Sequence, residues 1–486
     1  MNRQQVSPSL FSLVLGTVGS LVFFASIAVP PALAELKRDH FDDFGFERER
    51  FYSPEKEQFG PFFPSKKKFG HGGRFKQRDR RARLAIKQTL DSLEDGRKTF
   101  RFDTLGNEGF WGETLRLHET VAQLSPRTAL ELGLKVDSNA LPRRVIRAIK
   151  RNRVDLNDPA VTKMLLKRNA VVGVKGFFDD AGQLSSIGIQ CTLCHSEVDN
   201  SVAPGIGRRL DGWANRDINV GAIISSAPNL QPFVDLLGPF VDLGAEPVET
   251  VRSVFQSWGP GRFDSALLFD GIAFQPNGNS ASVLIPPVFG LAGVNLHTWT
   301  GWGSVAHWAA LVSSLELNGK GTFFDPRLDN AEQFPIAAEN GFSDVRNDPD
   351  LVTPKLPALH LYILSLRAPT PPRNSFDRQA AKRGKEVFNN QGDCARCHVP
   401  PLFTEPGWNL HTPEEIGIDG FVANRSPERA YRTAPLKGLF SHTKGGFFHD
   451  ARFPTLLDVI NHYETTFNLG LGEQQKSDLI QYLLSL

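Results

Sequence analysis

The sequence predicts a mainly α-helical protein with few short strands, in which two domains of the same kind follow one another and the first is enlarged by insertions. The four cysteines of the 486-residue chain stand in two identical five-residue frames, Cys191 to His195 and Cys394 to His398. A proline-rich break at Ala368 to Pro372 leaves residues 373–486, the length of one small domain, after it. Apolar residues with helical spacing on both sides of the break favour helices.

The overall composition is that of a globular protein. Hydrophobic residues make up 40% of the chain and charged residues 22%, which excludes a wholly disordered chain and a polytopic membrane protein. Lysine and arginine together number 55 and the acidic residues 53, a formal net charge of +2, so the charge balance gives no argument for nucleic acid as a partner.

Residues 1–34 have the features of a secretory signal peptide. Arg3 provides a positive start, Leu10 to Val29 is predominantly apolar, and Ala32-Leu33-Ala34 is the pattern that signal peptidase reads. The alternative is an uncleaved membrane anchor, because the apolar stretch is about long enough to span a bilayer. Cleavage is the favoured interpretation. The mature protein is then expected in a bacterial periplasm, held at a membrane only if the segment stays uncleaved.

The following segment, residues 35–100, is predicted to be a flexible, charged, phenylalanine-rich lead. The phenylalanines between Phe41 and Phe75 stand among charged residues, glycine and proline, without a helical or strand period. A solvated tether is the first interpretation, and a docking arm whose phenylalanines bind a partner is the second. The remaining chain divides into a first domain at 101–368, a linker at 369–372 and a C-terminal domain at 373–486.

The two cysteine frames are C-x-x-C-H, the attachment motif of c-type haem. Two thiols one helical turn apart can add across the vinyl groups of haem, and His195 or His398 then becomes the proximal ligand of the iron. A zinc site, a thioredoxin-type dithiol and structural disulfides are the alternatives, but none explains a histidine after both pairs. We therefore expect two cytochrome c-type domains with two covalently bound haem c groups, attached at Cys191, Cys194, Cys394 and Cys397.

The residue on the other side of each iron decides the function. A methionine there raises the potential and makes an electron carrier. Only Met164 remains once Met1 is lost with the signal, and core packing is its simpler role. The other choices are histidine, tyrosine or an open position. An open iron in an exported protein is where peroxide or oxygen would bind.

Four segments of the C-terminal domain carry a resemblance to a known family: Pro401 to Thr404, Tyr431 to Leu439, Gly446 to Phe453 and Thr455 to Tyr463. They are similar to segments of the bacterial di-haem cytochrome c peroxidases and of the related di-haem enzyme that matures methylamine dehydrogenase. The matches cover most of the domain. The departures are Ala451, where the family has glycine, and Gly445-Gly446, where it has Ala-Pro.

The resemblance implies that Tyr463 occupies the position of the sixth ligand of the second haem. The peroxidases carry methionine there, and the maturing enzyme carries tyrosine. A hard, anionic tyrosinate would stabilise oxidised iron; the alternative is a half-buried tyrosine on a helix face. His449 matches a family histidine near the haem edge, and His411 and His442 remain competing ligands. The family often holds a calcium ion between its domains, for which this sequence assigns no ligands.

The first domain supplies candidate catalytic residues. Arg208 or Arg209 could pair a haem propionate or polarise a bound peroxide, and the alternative is a surface arginine. His297 or His307 could be the distal ligand or distal base of haem 1. The candidates for an electron relay between the haems are the nearby tryptophans, which could equally form an aromatic core: Trp299, Trp302 and Trp308.

These features predict a periplasmic di-haem oxidoreductase of the peroxidase type. Haem 1 would react with hydrogen peroxide, assisted by His297, His307 or Arg208, and haem 2 would relay electrons from a small periplasmic cytochrome or cupredoxin. One alternative is a non-enzymatic electron-transfer cytochrome with two six-coordinate haems. The other is an oxidase or dioxygenase acting on a protein or organic substrate. The wide spacing of the motifs is similar to that of the di-haem rubber dioxygenases, whose chains are longer.

Overall fold

The computed structural model describes residues 74–486, and these residues are mainly helical with few short strands, as the sequence predicts. The predicted signal peptide and the phenylalanine-rich part of the lead before residue 74 lie outside the described residues. Within residues 74–486, no helix is both long enough and apolar enough to cross a membrane.

The α-helices of the described residues are labelled here in chain order. They are α1 Arg74–Phe102, α2 Leu117–Gln123, α3 Pro126–Glu131, α4 Arg143–Lys150, α5 Pro159–Lys167, α6 Thr192–His195, α7 Val220–Ser225, α8 Gln231–Leu237, α9 Pro247–Gln256, α10 Leu267–Asp270, α11 Val305–Leu311, α12 Pro335–Glu339, α13 Leu356–Ser365, α14 Arg378–Asn389, α15 Pro413–Ile416, α16 Phe421–Asn424, α17 Leu456–Phe467 and α18 Glu473–Leu484.

The strands are short and all precede the C-terminal domain. They are β1 Lys135–Asp137, β2 Val171–Val172, β3 Val174–Phe178, β4 Leu184–Ile189, β5 Ser196–Val198, β6 Ile206–Gly207, β7 Arg209–Asp211, β8 Arg262–Phe263, β9 Val283–Leu284, β10 Thr322–Phe324 and β11 Asp344–Arg346. β1 pairs with β2 antiparallel and with β6 parallel; β3–β4, β5–β7, β8–β9 and β10–β11 are antiparallel pairs.

Helix α1 covers the last part of the segment predicted as a flexible lead, which ends at residue 100. Residues 88–486 belong to one compact unit. In the part of α1 after residue 87, Phe100 is fully buried and its ring packs against Tyr362 of α13, with centroids 5.5 Å apart. Gly96 lets α1 approach α13 so closely that a Cβ would overlap the carbonyl oxygen of Ala358. One face of this charged segment is buried, and the composition alone does not show this.

The core of the first domain forms where α2, α5 and the β3–β4 hairpin pack together. Leu117, Leu166 and Ile187 are fully buried there, and Met164 packs against the same apolar cluster. Met164 therefore has the core position that the sequence favoured. A second, aromatic cluster forms around α11.

The C-terminal domain is closed by the crossing of its first and last helices, α14 and α18. Gly384 of α14 lies against the backbone of Asp478, where a Cβ would overlap the carbonyl oxygen. Between them, α17 begins with a capping box in which the Thr455 side chain accepts from the Asp458 N–H and the Asp458 carboxylate accepts from the Thr455 N–H. This cap fixes the helix that carries Tyr463.

Candidate functional site

The first C-x-x-C-H motif forms a single helical turn, α6, between β4 and β5. Cys191 precedes the turn, and its carbonyl accepts a hydrogen bond from the His195 N–H at 3.2 Å. The carbonyl of His195 accepts from the Gly212 N–H at 2.9 Å, and that of Cys194 accepts from the Asn215 N–H at 2.8 Å. The motif is thus held by the segment that follows β7, in a geometry that places both cysteines on one turn.

The His195 imidazole has the properties that an iron ligand requires. Burial lowers its pKa to about 4, although the nearby Pro286 carbonyl opposes this shift. The ring is therefore neutral at pH 7, the state in which histidine donates a lone pair to a metal.

Two buried groups accompany this first motif. His297 is 6% exposed, and its pKa is lowered by burial and by the nearby charge of Arg432. Burial and then the charge of Glu316 raise the pKa of the Cys194 thiol. Burial raises the pKa of Glu316 to about 7, and its Oε1 has no hydrogen-bond partner among the described residues. His297 and Glu316 are thus two buried titratable side chains that the structure brings near the first motif.

The sequence reasoning missed Glu316. It ends the π-helical segment Val312–Glu316 that continues α11, and it is the acidic residue of an otherwise apolar and small-residue stretch. A lone carboxylate on a buried helix is a signal that could have drawn attention to it, since buried carboxylates are rare unless they are paired or functional.

The other predicted catalytic residues of the first domain lie in different surroundings. His307 packs on Trp308 and Phe323, and its Nε2 is 3.6 Å from Asp325. Arg208 has an exposed side chain and pairs with Asp199 at 2.7 Å. Their catalytic roles stay predictions. The neighbouring Arg209, the alternative to Arg208, is buried and pairs with Asp137 at 3.2 Å.

The three tryptophans that are candidates for an electron relay lie in two different places. Trp302 and Trp308 belong to the aromatic core around α11, with ring centroids 5.8 Å apart, and the Trp302 Nε1 donates to Asp325 at 3.1 Å. Trp299 instead lines the cavity of the second motif, and its Nε1 donates to the Leu284 carbonyl at 2.7 Å.

The second C-x-x-C-H motif opens onto a cavity of about 300 Å³. Cys394, Cys397 and His398 all line it. The Nδ1 of His398 is 3.2 Å from the Phe403 carbonyl, so Nδ1 carries the proton and the lone pair belongs to Nε2. Burial lowers the His398 pKa to about 4 and keeps the ring neutral. This tautomer is the one that a metal-ligating histidine commonly adopts.

Four side chains that the sequence analysis named as possible ligands or neighbours of the second haem line the same cavity, and they differ in their partners. His411 has both ring nitrogens engaged, by Glu405 at 2.6 Å and by Glu415 at 2.9 Å. The His442 Nε2 is 2.5 Å from the Gly446 carbonyl. His449 stacks on the Tyr431 ring at 5.0 Å.

Tyr463 is the fourth of these side chains. Burial raises its pKa, and the neighbouring Cys397 and Cys394 raise it further. Its ring stacks on Phe467 with centroids 5.6 Å apart, and its hydroxyl makes no hydrogen bond within the described part of the chain. Among the candidate sixth ligands, Tyr463 is thus the side chain that combines proximity to both cysteines with an unengaged ligand atom.

The charged groups of this cavity fit a haem. Arg216 and Arg432 both line it and are buried, and burial lowers the pKa of each to about 10. Within the described residues, Nη1 of Arg216 and Nε of Arg432 have no hydrogen-bond partner. Buried cations require an anionic partner, and the two propionates of a haem would supply it. The sequence reasoning missed both arginines, since nothing in their neighbours marks them as buried.

Pro286 lies between the two motifs. Trp213, Pro286 and Trp299 line the cavity of the second motif. The Pro286 carbonyl also faces His195 of the first motif, and the Trp299 carbonyl accepts from the Arg432 N–H at 2.9 Å. Electron relay by Trp299 stays a prediction.

The alternatives to haem attachment find little support in this geometry. Among residues 74–486, the metal-ligating side chains that come within 4.8 Å of one another are Cys397, Glu405 and His411, so the two cysteine pairs do not meet in one zinc site. All four cysteines are free, without a disulfide.

No family model and no curated protein matches this chain. A solved structure of Kuenenia stuttgartiensis hydrazine synthase is similar to part of it, at 19% sequence identity and a TM-score of 0.26, with 44% of this chain and 76% of that chain covered. At that TM-score the two folds do not superimpose as wholes, so the function is argued from the side chains of this protein.

Proposed function

We propose that this protein is an exported di-haem c-type oxidoreductase of the peroxidase type, which reduces hydrogen peroxide at the first motif and relays electrons through the second. The observation that carries the proposal is the pair of C-x-x-C-H motifs, which Pro286 connects: its carbonyl faces His195, and it lines the cavity of the second motif. Neutral histidines in both motifs support it, as do two buried arginines beside the second motif, each with one guanidinium nitrogen that has no hydrogen-bond partner among the described residues.

The haem groups, when bound, supply the iron chemistry that cleaves the O–O bond of peroxide. The residues of the chain itself would hold the haem groups and transfer protons. His195 and His398 each offer a neutral imidazole as proximal ligand, and Arg216 and Arg432 offer charge to propionates. Reduction of one hydrogen peroxide to two waters consumes two electrons and two protons. Glu316 is the group beside the first motif that can take a proton from peroxide and return it to the leaving oxygen.

The electrons would come from a small periplasmic cytochrome or cupredoxin. The loop that follows the second motif exposes Trp408 at 76% and Val399 at 37%. Exposed aromatic and apolar side chains of this kind suit a transient contact with another protein.

A second candidate function is the oxidation of a protein or organic substrate. Tyr463 favours it, because its unengaged hydroxyl belongs to the cavity of the second motif and a tyrosinate ligand stabilises oxidised iron. The two candidates share the first motif as the site where the oxidant reacts, and they differ in what supplies the electrons.

The test is low-temperature EPR spectroscopy of the purified haem-loaded protein, as isolated and after one-electron reduction, together with a peroxide-reduction assay. A high-spin ferric signal in either state and peroxide turnover are expected. Replacement of the first proximal ligand, His195→Ala, should abolish turnover, whereas His360→Ala, on helix α13, should retain it. Two low-spin signals with no high-spin species after half-reduction would leave no open iron, and the protein would then be an electron carrier.

A further inference from the structure

A second cavity, of about 100 Å³, lies within the core of the first domain. It is enclosed by α2, α5, β1 and the β3–β4 hairpin. Its lining is formed almost entirely by leucine, isoleucine and valine side chains, among them Leu117, Val136, Leu166 and Ile187. Each of these four side chains is at most 6% exposed.

The few polar side chains at this cavity already have partners. The Thr162 hydroxyl donates to the Leu124 carbonyl at 2.6 Å, and the Lys135 ammonium pairs with Asp217 at 2.5 Å and with Glu197 at 3.3 Å. A buried water needs two to four polar partners, and an apolar cavity without them stays dry. The cavity therefore offers an environment for an apolar molecule and not for water.

The position of the cavity connects the surface with the first motif. Leu193, between Cys191 and Cys194, lines it on the inside. At the rim, Thr120 donates to the carbonyl of the exposed residue Ser226 at 2.9 Å. A molecule held in the cavity would thus contact the residue that joins the two thiols of the first motif.

We propose that this cavity binds a small apolar gas molecule, with dioxygen as its natural occupant. A dry cavity of about 150 Å³ lined by similar side chains binds benzene or xenon. At about 100 Å³ the present cavity is smaller, which favours a diatomic gas over an aromatic or aliphatic compound. Filling restores the dispersion contacts that an empty cavity lacks. The inference depends on the lining alone and not on the proposed peroxide reaction, so either can fail without the other.

Xenon is the probe, because it is apolar, close to dioxygen in size and strongly scattering. Crystals of the haem-loaded protein under xenon pressure should show an anomalous peak inside the cavity. Ala129 of α3 lines the cavity, and Ala129→Phe should fill it and remove the peak. Ala160→Phe makes the same change at an exposed position of α5 outside the lining and should keep the peak. If Ala129→Phe does not fold, the smaller Val121→Ile should lower the xenon occupancy.

Dioxygen is tested by competition. Adding dioxygen to crystals held at a fixed xenon pressure should lower the xenon occupancy, because both gases would share one site. Absence of xenon from the wild-type cavity, ordered water in its place, or a peak unaffected by the filling variants would overturn the site. A xenon occupancy that dioxygen leaves unchanged would overturn the assignment of the occupant.

Discussion

At the scale of single residues, burial gives Glu316 a raised pKa that suits proton transfer. Desolvation of this carboxyl group, which is 7% exposed, disfavours its ionised form and raises its pKa to about 7, near neutral pH. A proton donor and acceptor is most effective when its pKa is near the working pH. Burial therefore gives this side chain the property that general acid–base catalysis needs.

The first prediction concerns the pH dependence of peroxide reduction. Because Glu316 ionises as the pH rises through about 7, and only the ionised form accepts a proton, kcat/KM should rise through that pH and level off above it. Glu316→Gln should remove the rise and lower the rate by about 10²-fold or more. Steady-state peroxide assays across neutral pH would measure both. Glu428→Gln, which changes another carboxyl whose pKa burial raises, should keep the wild-type profile. A Glu316→Gln profile that still rises through the same pH would exclude this residue as the base.

Tyr463 gives the second prediction. If its hydroxyl ligates the second haem, Tyr463→Phe removes a ligand atom and should change the ferric absorption and EPR spectra of that haem. The matched control is Tyr482→Phe, which changes another buried tyrosine of the same domain that packs on Phe388 and does not line the cavity. Unchanged spectra in Tyr463→Phe would show that the tyrosine is only a packing residue, and the case for the second candidate function would weaken.

At the scale of elements, the crossing of α14 and α18 depends on the absence of one side chain. Gly384→Ala would place a Cβ on the Asp478 carbonyl oxygen and force the helices apart. Overpacking of this kind costs about 1–3 kcal/mol, and we expect the urea midpoint to fall accordingly. Gly109→Ala, at a glycine with no atom within 4 Å of the added methyl group, should leave the midpoint nearly unchanged. Equal midpoints for both variants would contradict this account of the helix crossing.

Elements with a strong local signal could be predicted from the sequence. The apolar spacing at residues 356–366 and 473–486 predicted α13 and α18, and the C-x-x-C-H frames predicted two attachment turns, because these patterns are contained within a few residues. Helix α1 was underestimated, since its buried face is formed with α13, far away in sequence.

The candidate site was predicted only in part, for the same reason. His297 is recognisable from the sequence because several tryptophans stand close to it. Arg216 and Arg432, by contrast, are more than two hundred positions apart and meet only in the folded cavity. Whether an arginine is paired or orphaned is a property of the tertiary structure. Glu316, likewise, acquires its raised pKa from burial, which the sequence does not display.

At the scale of the whole molecule, the two motifs depend on how the C-terminal domain sits against the first domain. Arg432, which lines the cavity of the second motif, is held by the Leu296 carbonyl at 2.7 Å and by the Trp299 backbone. A change in domain contact would therefore alter that cavity.

A buried ion-pair cluster joins the two domains, and the last prediction concerns this cluster. Arg425 of the C-terminal domain bonds to Asp270 at 2.6 and 2.9 Å and to Asp264 at 3.2 Å, with all three side chains at most 6% exposed. Arg425→Met would leave two carboxylates buried without a cation, which costs about 3–5 kcal/mol. Chemical denaturation should show this loss. The exposed pair of Arg208 with Asp199 provides the control, because Arg208→Met should cost less than about 1 kcal/mol. Losses of equal size in the two variants would mean that the buried cluster does not hold the domains together.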